Sequence, residues 1–239
     1  MTRLLLGLSV SCVAALSLAA CGASTRSPSP PKLDPADVTV DGLYRVADSK
    51  VAIAYLRPGA DLASYRKIKL DLVNIAYKSP PRGGRYRRAE GNFPLTPAEM
   101  DRVKREFREA FVQELAKSRY EVVERPGPDV LGLDAEIVDL VVRAPPEPTT
   151  GQSWVFVQSA GELTLVAELR DSMTGGTLAR LADRRAVQSP GAGASGLYYS
   201  TPVNNWADLR RLFQGWARLL REALDEAHQL QAETFVTQP

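Results

Sequence analysis

Residues 206–230, WADLRRLFQGWARLLREALDEAHQL, decide the fold. At about 100° per residue, Trp206, Leu209, Leu212, Phe213, Trp216, Leu219, Leu220, Ala223, Leu224, Ala227 and Leu230 fill one arc of about 140°. Asp208, Arg210, Arg211, Gln214, Arg218 and Arg221 fall on the other side. A helix this one-sided has to lie on a surface, because it cannot hide its own apolar stripe. Asn205 reads as its N-cap, with Asp208 completing the cap. His228 lies about 110° from the centre of the stripe and reads as a solvated surface residue.

A second amphipathic helix starts at Thr96-Pro97-Ala98-Glu99. The Thr96 hydroxyl can accept an amide of the first turn, Glu99 can reach back, and Pro97 suits the first helical position. Met100, Val103, Phe107, Ala110 and Phe111 share one face, and the helix is expected to end near Ser118. The surface for both helices comes from segments with period two. Residues 50–56 and 66–77 read as strands, the second with Ile68, Leu70 and Leu72 on one face. Asp61 is expected to cap a single helical turn between them. A short strand follows at 120–124 and a long one at 129–143. In the long strand the apolar phase slips near Ile137-Val138, which predicts a bulge that returns both halves to one face. Residues 152–158 read as a ragged strand, and 161–171 with 177–188 as a hairpin around Ser172-Met173-Thr174-Gly175-Gly176. Strands before, between and after two amphipathic helices predict an α+β domain, with a largely antiparallel or mixed sheet and both helices on one face.

The N-terminus carries an address. Arg3 is followed by the charge-free run LLLGLSVSCVAALSLAA at 4–20, the pattern of a secretory signal peptide. Its end, Leu18-Ala19-Ala20-Cys21-Gly22, resembles the bacterial lipobox, which implies acylation of Cys21. The resemblance to lipoproteins further implies that Gly22, a residue other than Asp after the Cys, marks export to the outer membrane, with the domain facing the periplasm. Residues 21–40 then read as a flexible tether, since GASTRSPSPPKLDPAD at 22–37 has four Pro and three Ser and no apolar period. Residues 41–239 read as one domain.

Composition excludes several chemistries. The 239 residues carry 30 basic and 28 acidic side chains, a net charge of +2, so there is no bulk electrostatic case for nucleic acid. One His and two Cys cannot build a His-rich metal site, a four-ligand zinc site or a disulfide framework, and no metal or cofactor is expected. Three local features remain. Asp134, Glu136 and Asp139 cluster along one strand; paired carboxylates can do acid–base work, but alternation already explains them as a wet face. The Gly-containing stretches at 175–176 and 191–194 lack the lysine of a phosphate loop and read as turns. The loop Pro80-Pro81-Arg82-Gly83-Gly84-Arg85-Tyr86-Arg87-Arg88 concentrates Arg82, Arg85, Arg87 and Arg88, whose planar forks suit phosphates and carboxylates.

The segment Arg57-Pro58-Gly59-Ala60-Asp61-Leu62-Ala63-Ser64-Tyr65-Arg66-Lys67-Ile68, followed by Leu95-Thr96-Pro97-Ala98-Glu99, resembles an uncharacterised family of bacterial envelope lipoproteins. So do Tyr120-Glu121-Val122-Val123 with the Pro-Gly-Pro after it, and Leu163 to Arg185. The resemblance covers roughly residues 45–225. It implies lipoprotein status and an α+β domain, and brings no catalytic residues. Two functions stand as expectations. One is a non-enzymatic binding or accessory module that docks an envelope protein, a glycan or an anionic lipid. The other is a periplasmic hydrolase using Asp134 and Glu136. Geometry separates them: an enzyme gathers such carboxylates in a deep pocket with convergent polar groups, and a binding module leaves them on an open face.

Overall fold

A computed structural model of the chain describes residues 29–78, 95–143, 156–157, 159–188, 198–199 and 202–237. The strands are β1 (Leu33–Val38), β2 (Tyr44–Val46), β3 (Ile53–Leu56), β4 (Lys67–Leu70), β5 (Asn74–Tyr77), β6 (Glu121–Val123), β7 (Val130–Val142), β8 (Phe156–Val157), β9 (Gly161–Asp171), β10 (Thr177–Val187) and β11 (Tyr198–Tyr199). Helix α1 spans Pro97–Leu115 and helix α2 spans Pro202–Thr237, with a 3₁₀ turn at Leu62–Ser64. Nine strands form one mixed sheet in the order β1-β2-β3-β10-β9-β7-β4-β6, with β5 also on β7; β8 and β11 pair separately. The fold is α+β, as the helix and strand patterns predict.

Local chemistry sets the ends of the elements. Thr96 Oγ1 accepts from the Glu99 amide at 3.3 Å and Glu99 accepts from the Thr96 amide at 2.7 Å, so the expected capping box opens α1. Asp61 accepts from the Ser64 amide and caps the 3₁₀ turn. Helix α2 starts three residues before its expected cap, at Pro202, leaving Asn205 inside the first turn. Proline suits the first helical position, where a backbone N–H would lack a partner anyway. Leu33–Val38, read from composition as tether, forms an edge strand paired with β2. Pro35 is tolerated there because an edge strand need not donate on both sides.

The hairpin β9–β10 matches its expected bounds, with Glu168 facing Arg180 and Leu165 facing Asp183. Residues 66–77 are not one strand. Leu70 faces Leu133 and Asn74 faces Glu136, four steps on one strand against three on the other. The extra residue reverses the side-chain phase, so Val73 is buried and Leu72, expected inside, is 85% exposed. The bulge in β7 falls between Val138 and Val141, where Asp139 takes a positive φ of 53°. Beyond it Leu140 is buried on the same face as Ile137, which is the purpose assigned to the bulge from sequence.

One core holds both helices to one sheet face. Phe107, Phe111 and Ala110 of α1 and Phe213, Trp216 and Leu224 of α2 pack on Leu131, Leu133, Ile137, Leu163 and Leu165. The Phe107 ring stacks on Phe111 at 4.3 Å and meets Phe213 edge-on at 5.4 Å. No described helix is long and apolar enough to cross a membrane.

Glu106 of α1 is 7% exposed and is clamped by Arg210 of α2, whose Nε and Nη2 donate to its two carboxylate oxygens at 2.7 and 2.8 Å. Those hydrogen bonds outweigh burial and hold the Glu106 carboxyl below its usual range. A depressed folded value means that the stabilisation is present above the unfolded value and is lost as pH falls through the folded one. Glu106→Gln is therefore expected to cost about 1–2 kcal/mol at neutral pH, trimmed by the solvent-facing side of Arg210. The gap between the two chains should close in acid, checked by urea unfolding at about pH 7 and about pH 3. A gap that is constant with pH would mean that the pair contributes no linkage.

Candidate functional site

The sheet face turned away from the helices carries the polar phase of its long strands. One row crosses five strands through Arg45, Tyr55, Arg180, Glu168 and Asp134. The Arg45 guanidinium lies over the Tyr55 ring at 5.9 Å. Arg180 donates to Glu168 at 2.6 Å and to Asp41 at 2.9 Å, and Arg170 Nε donates to Glu168 at 2.8 Å. Burial alone would raise the Glu168 carboxyl, but hydrogen bonds from Arg180 and Arg170 prevail and hold it low. Beside this row Val166, Ala182 and Ile53 form a short apolar row. Farther along, Glu162 accepts from both Arg143 and Arg184, which keep its carboxyl low. The face is charge-rich but internally matched.

The three candidate carboxylates sit here or beside it. Asp134 and Glu136 occupy the outward phase of β7, and Asp139 lies at the bulge. They do not converge. Asp134 lines a notch of about 230 Å³ with Lys69, Asp71, Gly132, Arg170 and Asp171. Each carboxylate of that notch is engaged. Asp134 lies 3.6 Å from Arg170, and Asp71 accepts from Lys69. Asp171 accepts from the Thr174 amide at 2.7 Å and the Tyr65 hydroxyl at 2.8 Å. Those contacts, the Thr174 amide first, hold Asp171 low, while burial and then Asp171 itself push Tyr65 up to about 12. Among the described residues no group of three or more His, Cys, Asp or Glu is placed to hold a metal ion.

Cys21 and the four loop arginines, Arg82, Arg85, Arg87 and Arg88, lie outside the described residues. Both stems of the loop are described. The Leu95 amide donates to the Tyr77 hydroxyl at 2.7 Å, so the loop leaves β5 and enters α1 from one pinned point.

His228 is not the solvated residue that its angle on the helix predicts. Its ring lies 5.1 Å from that of Tyr120, and its Nε2 is buried without a hydrogen-bond partner. The angular estimate is sound for α2 alone. The 3₁₀ turn and Tyr120, however, pack along this flank of the helix, and nothing within α2 announces them. Desolvation, then the nearby Arg119, keeps the imidazole below its ordinary pKa. The residues missed in sequence are Arg66 and Arg119, which line a groove with His228. Three positions so far apart along the chain share no local signal.

No curated protein matches the chain. Among solved structures, it is similar to a subunit of the PelC dodecamer from Paraburkholderia phytofirmans at 10% identity, covering 70% of this chain and 98% of that one, with a TM-score of 0.35. It is similar to a putative neuraminyllactose-binding hemagglutinin homolog from Helicobacter pylori at 9% identity, over 72% and 91% of the two chains, with a TM-score of 0.38. A Xanthomonas campestris protein matches at 13% identity over 71% and 89%, with a TM-score of 0.36. A family profile matches residues 38–220, from the end of β1 well into α2 and inside the span of the resemblance except at its first residues. By that match the chain belongs to the family described as proteins of unknown function, DUF3313.

Proposed function

We propose that the chain is a lipoprotein held in the outer membrane through Cys21, and that its domain faces the periplasm and binds an anionic envelope partner without chemistry of its own. The observation that carries this reading is the placement of Asp134 and Glu136. They stand on an open strand face, and Asp134 is countered by Arg170 in a shallow notch. A carboxylate-based hydrolase would gather them in a pocket with a convergent substrate site. The Arg loop supplies the attraction. The charges of the open face neutralise one another, whereas four guanidinium groups lie within residues 82–88.

The test is co-sedimentation of the chain starting at Gly22 with anionic vesicles, lipopolysaccharide or cell wall. Binding is expected at low salt. It should be lost at high salt, because the Debye length is already about 8 Å at physiological ionic strength. It should also be lost when Arg82, Arg85, Arg87 and Arg88 are all replaced by Ser. In cells, Cys21→Ala should remove the full chain from the outer-membrane fraction. Binding that survives both the substitutions and the salt, or a Cys21→Ala chain that still fractionates with the outer membrane, would sink this reading.

A further inference from the structure

Near its C-terminal end α2 closes a groove of about 410 Å³ against the β4–β6 edge of the sheet. The groove is lined by Ala63, Arg66, Arg119, His228, Gln231 and Ala232. Arg66 and Arg119 stand close together because the Glu121 amide donates to the Arg66 carbonyl at 3.0 Å, which brings the strand after Arg119 alongside the strand after Arg66. Both side chains are exposed, and neither makes an ion pair with a described carboxylate. This differs from the open sheet face, where every named arginine has an acidic partner. The acids that face the groove are engaged elsewhere. Asp61 caps Ser64 and accepts from Gln231 at 3.4 Å, and Asp225 accepts from Arg221 at 3.0 Å. Tyr120 packs on the imidazole from the sheet side and donates its hydroxyl to the Leu62 carbonyl at 2.9 Å. The His228 Nε2 has no partner. The groove therefore has two uncommitted guanidinium forks beside the His228 ring, whose Nε2 lies buried and unpaired behind its wall, and the small side chains of Ala63 and Ala232 leave room beside them.

We propose that this groove binds a phosphoryl group, held between the Arg66 and Arg119 guanidiniums with His228 beside it. Two forks arriving from neighbouring strands suit a tetrahedral dianion, which offers three oxygens and two charges. A single fork already satisfies a planar carboxylate. The site is independent of the Arg loop and does not rest on the function proposed above. Bound anion favours the imidazolium. His228 therefore gains protons on binding, and affinity rises as pH falls through its titration.

The chain contains one histidine, so a long-range nitrogen spectrum of the full chain in detergent micelles reports on His228 without assignment, provided that the purification tag has none. Inorganic phosphate should shift these ring signals to saturation. Arg66→Gln combined with Arg119→Gln should weaken binding about tenfold or more. Both side chains are exposed, and circular dichroism should show the variant folded. The Ser replacement of Arg82, Arg85, Arg87 and Arg88 should leave phosphate affinity unchanged. Phosphate titrates in the same range as imidazole, so the pH dependence is read as the difference between the native chain and His228→Gln. Short-chain phosphatidic acid is the second ligand. Saturation by phosphate supports a site for the free group, and saturation by the lipid alone supports a headgroup site. No shift with either ligand, an equal response to acetate, or binding that survives the double arginine substitution overturns the proposal.

Discussion

Trp216→Ala is expected to lower the stability of the chain by about 3–5 kcal/mol, on the order of a third or more of what holds a domain together. The indole is 3% exposed and stacks beside Phe213 with ring centroids 6.1 Å apart, so truncation leaves a cavity that its neighbours fill only in part. Its Nε1 also donates to Asp183 Oδ2 at 2.8 Å. Asp183 is 7% exposed and keeps contacts from the Arg185 guanidinium and the Ala52 amide. Losing the indole therefore weakens the carboxylate's surroundings without orphaning it. Trp216→Phe separates the two losses, because it keeps most of the volume and removes the donor, for about 1–3 kcal/mol. Gln214→Ala, half-buried on the same helix, should change stability by no more than about 0.5 kcal/mol. Urea unfolding of the three variants decides the matter. Equal, small effects from Trp216→Ala and Gln214→Ala would mean that α2 is not clamped to the sheet.

Gly161→Ala should be about as damaging, through a backbone clash and not a lost contact. A Cβ at Gly161 would lie 2.3 Å from the Val141 carbonyl oxygen. The carbonyl is backbone of β7 and the Cβ would be fixed directly to the backbone of β9, where the two strands pair just beyond the bulge, so neither can move aside without breaking the ladder. Overpacking in a core costs about 1–3 kcal/mol when side chains can yield, and here the neighbour is a strand, so about 3 kcal/mol or more is expected. Gly132→Ala is the control. Its nearest atoms would be 3.8 Å away, ordinary contact, and it sits on β7 too. Tolerance of Gly161→Ala at the level of Gly132→Ala, by thermal unfolding, would mean that the two strands are not held this closely.

These two sites differ in how far the sequence discloses them. Trp216 is read from the periodicity of α2, because burial of a helix face leaves a repeat in the helix itself. The capping box at Thr96 and the hairpin at 161–188 are equally local. The bulge in β7 is visible as a slip of phase near Ile137-Val138, but which residue absorbs it depends on conformation, and the positive φ falls on Asp139, next to Val138. Gly161 carries no signal, since close approach is a property of two strands. The same holds for β4 and β5, whose parallel pairing with β7 is absent from any single period-two pattern. The carboxylates Asp134 and Glu136 were legible as a wet face because alternation alone decides that. The ion-pair partner of Asp134 was not, since Arg170 comes within reach of it only through the register of β9 on β7. For the groove at Arg66, Arg119 and His228, three elements have to be assembled before the arginines share a space.

The position of β1 has a mechanical consequence. Leu33 pairs with Val46 at the outer edge of the sheet, and eleven residues separate it from Cys21. If the chain is moored at Cys21, a pull on the domain loads this first pair end-on, and the bonds of the β1–β2 ribbon open one after another, not all together. Such an unzipping geometry yields at low force. With β2 still paired to β3, releasing residues 33–43 would lengthen the leash by up to about 36 Å, at about 3.3 Å per residue. The compact part, from β2 through α2, would stay intact meanwhile. The edge strand would then act as a spring in series with the mooring, letting the domain keep hold of a partner that moves away from the point of attachment.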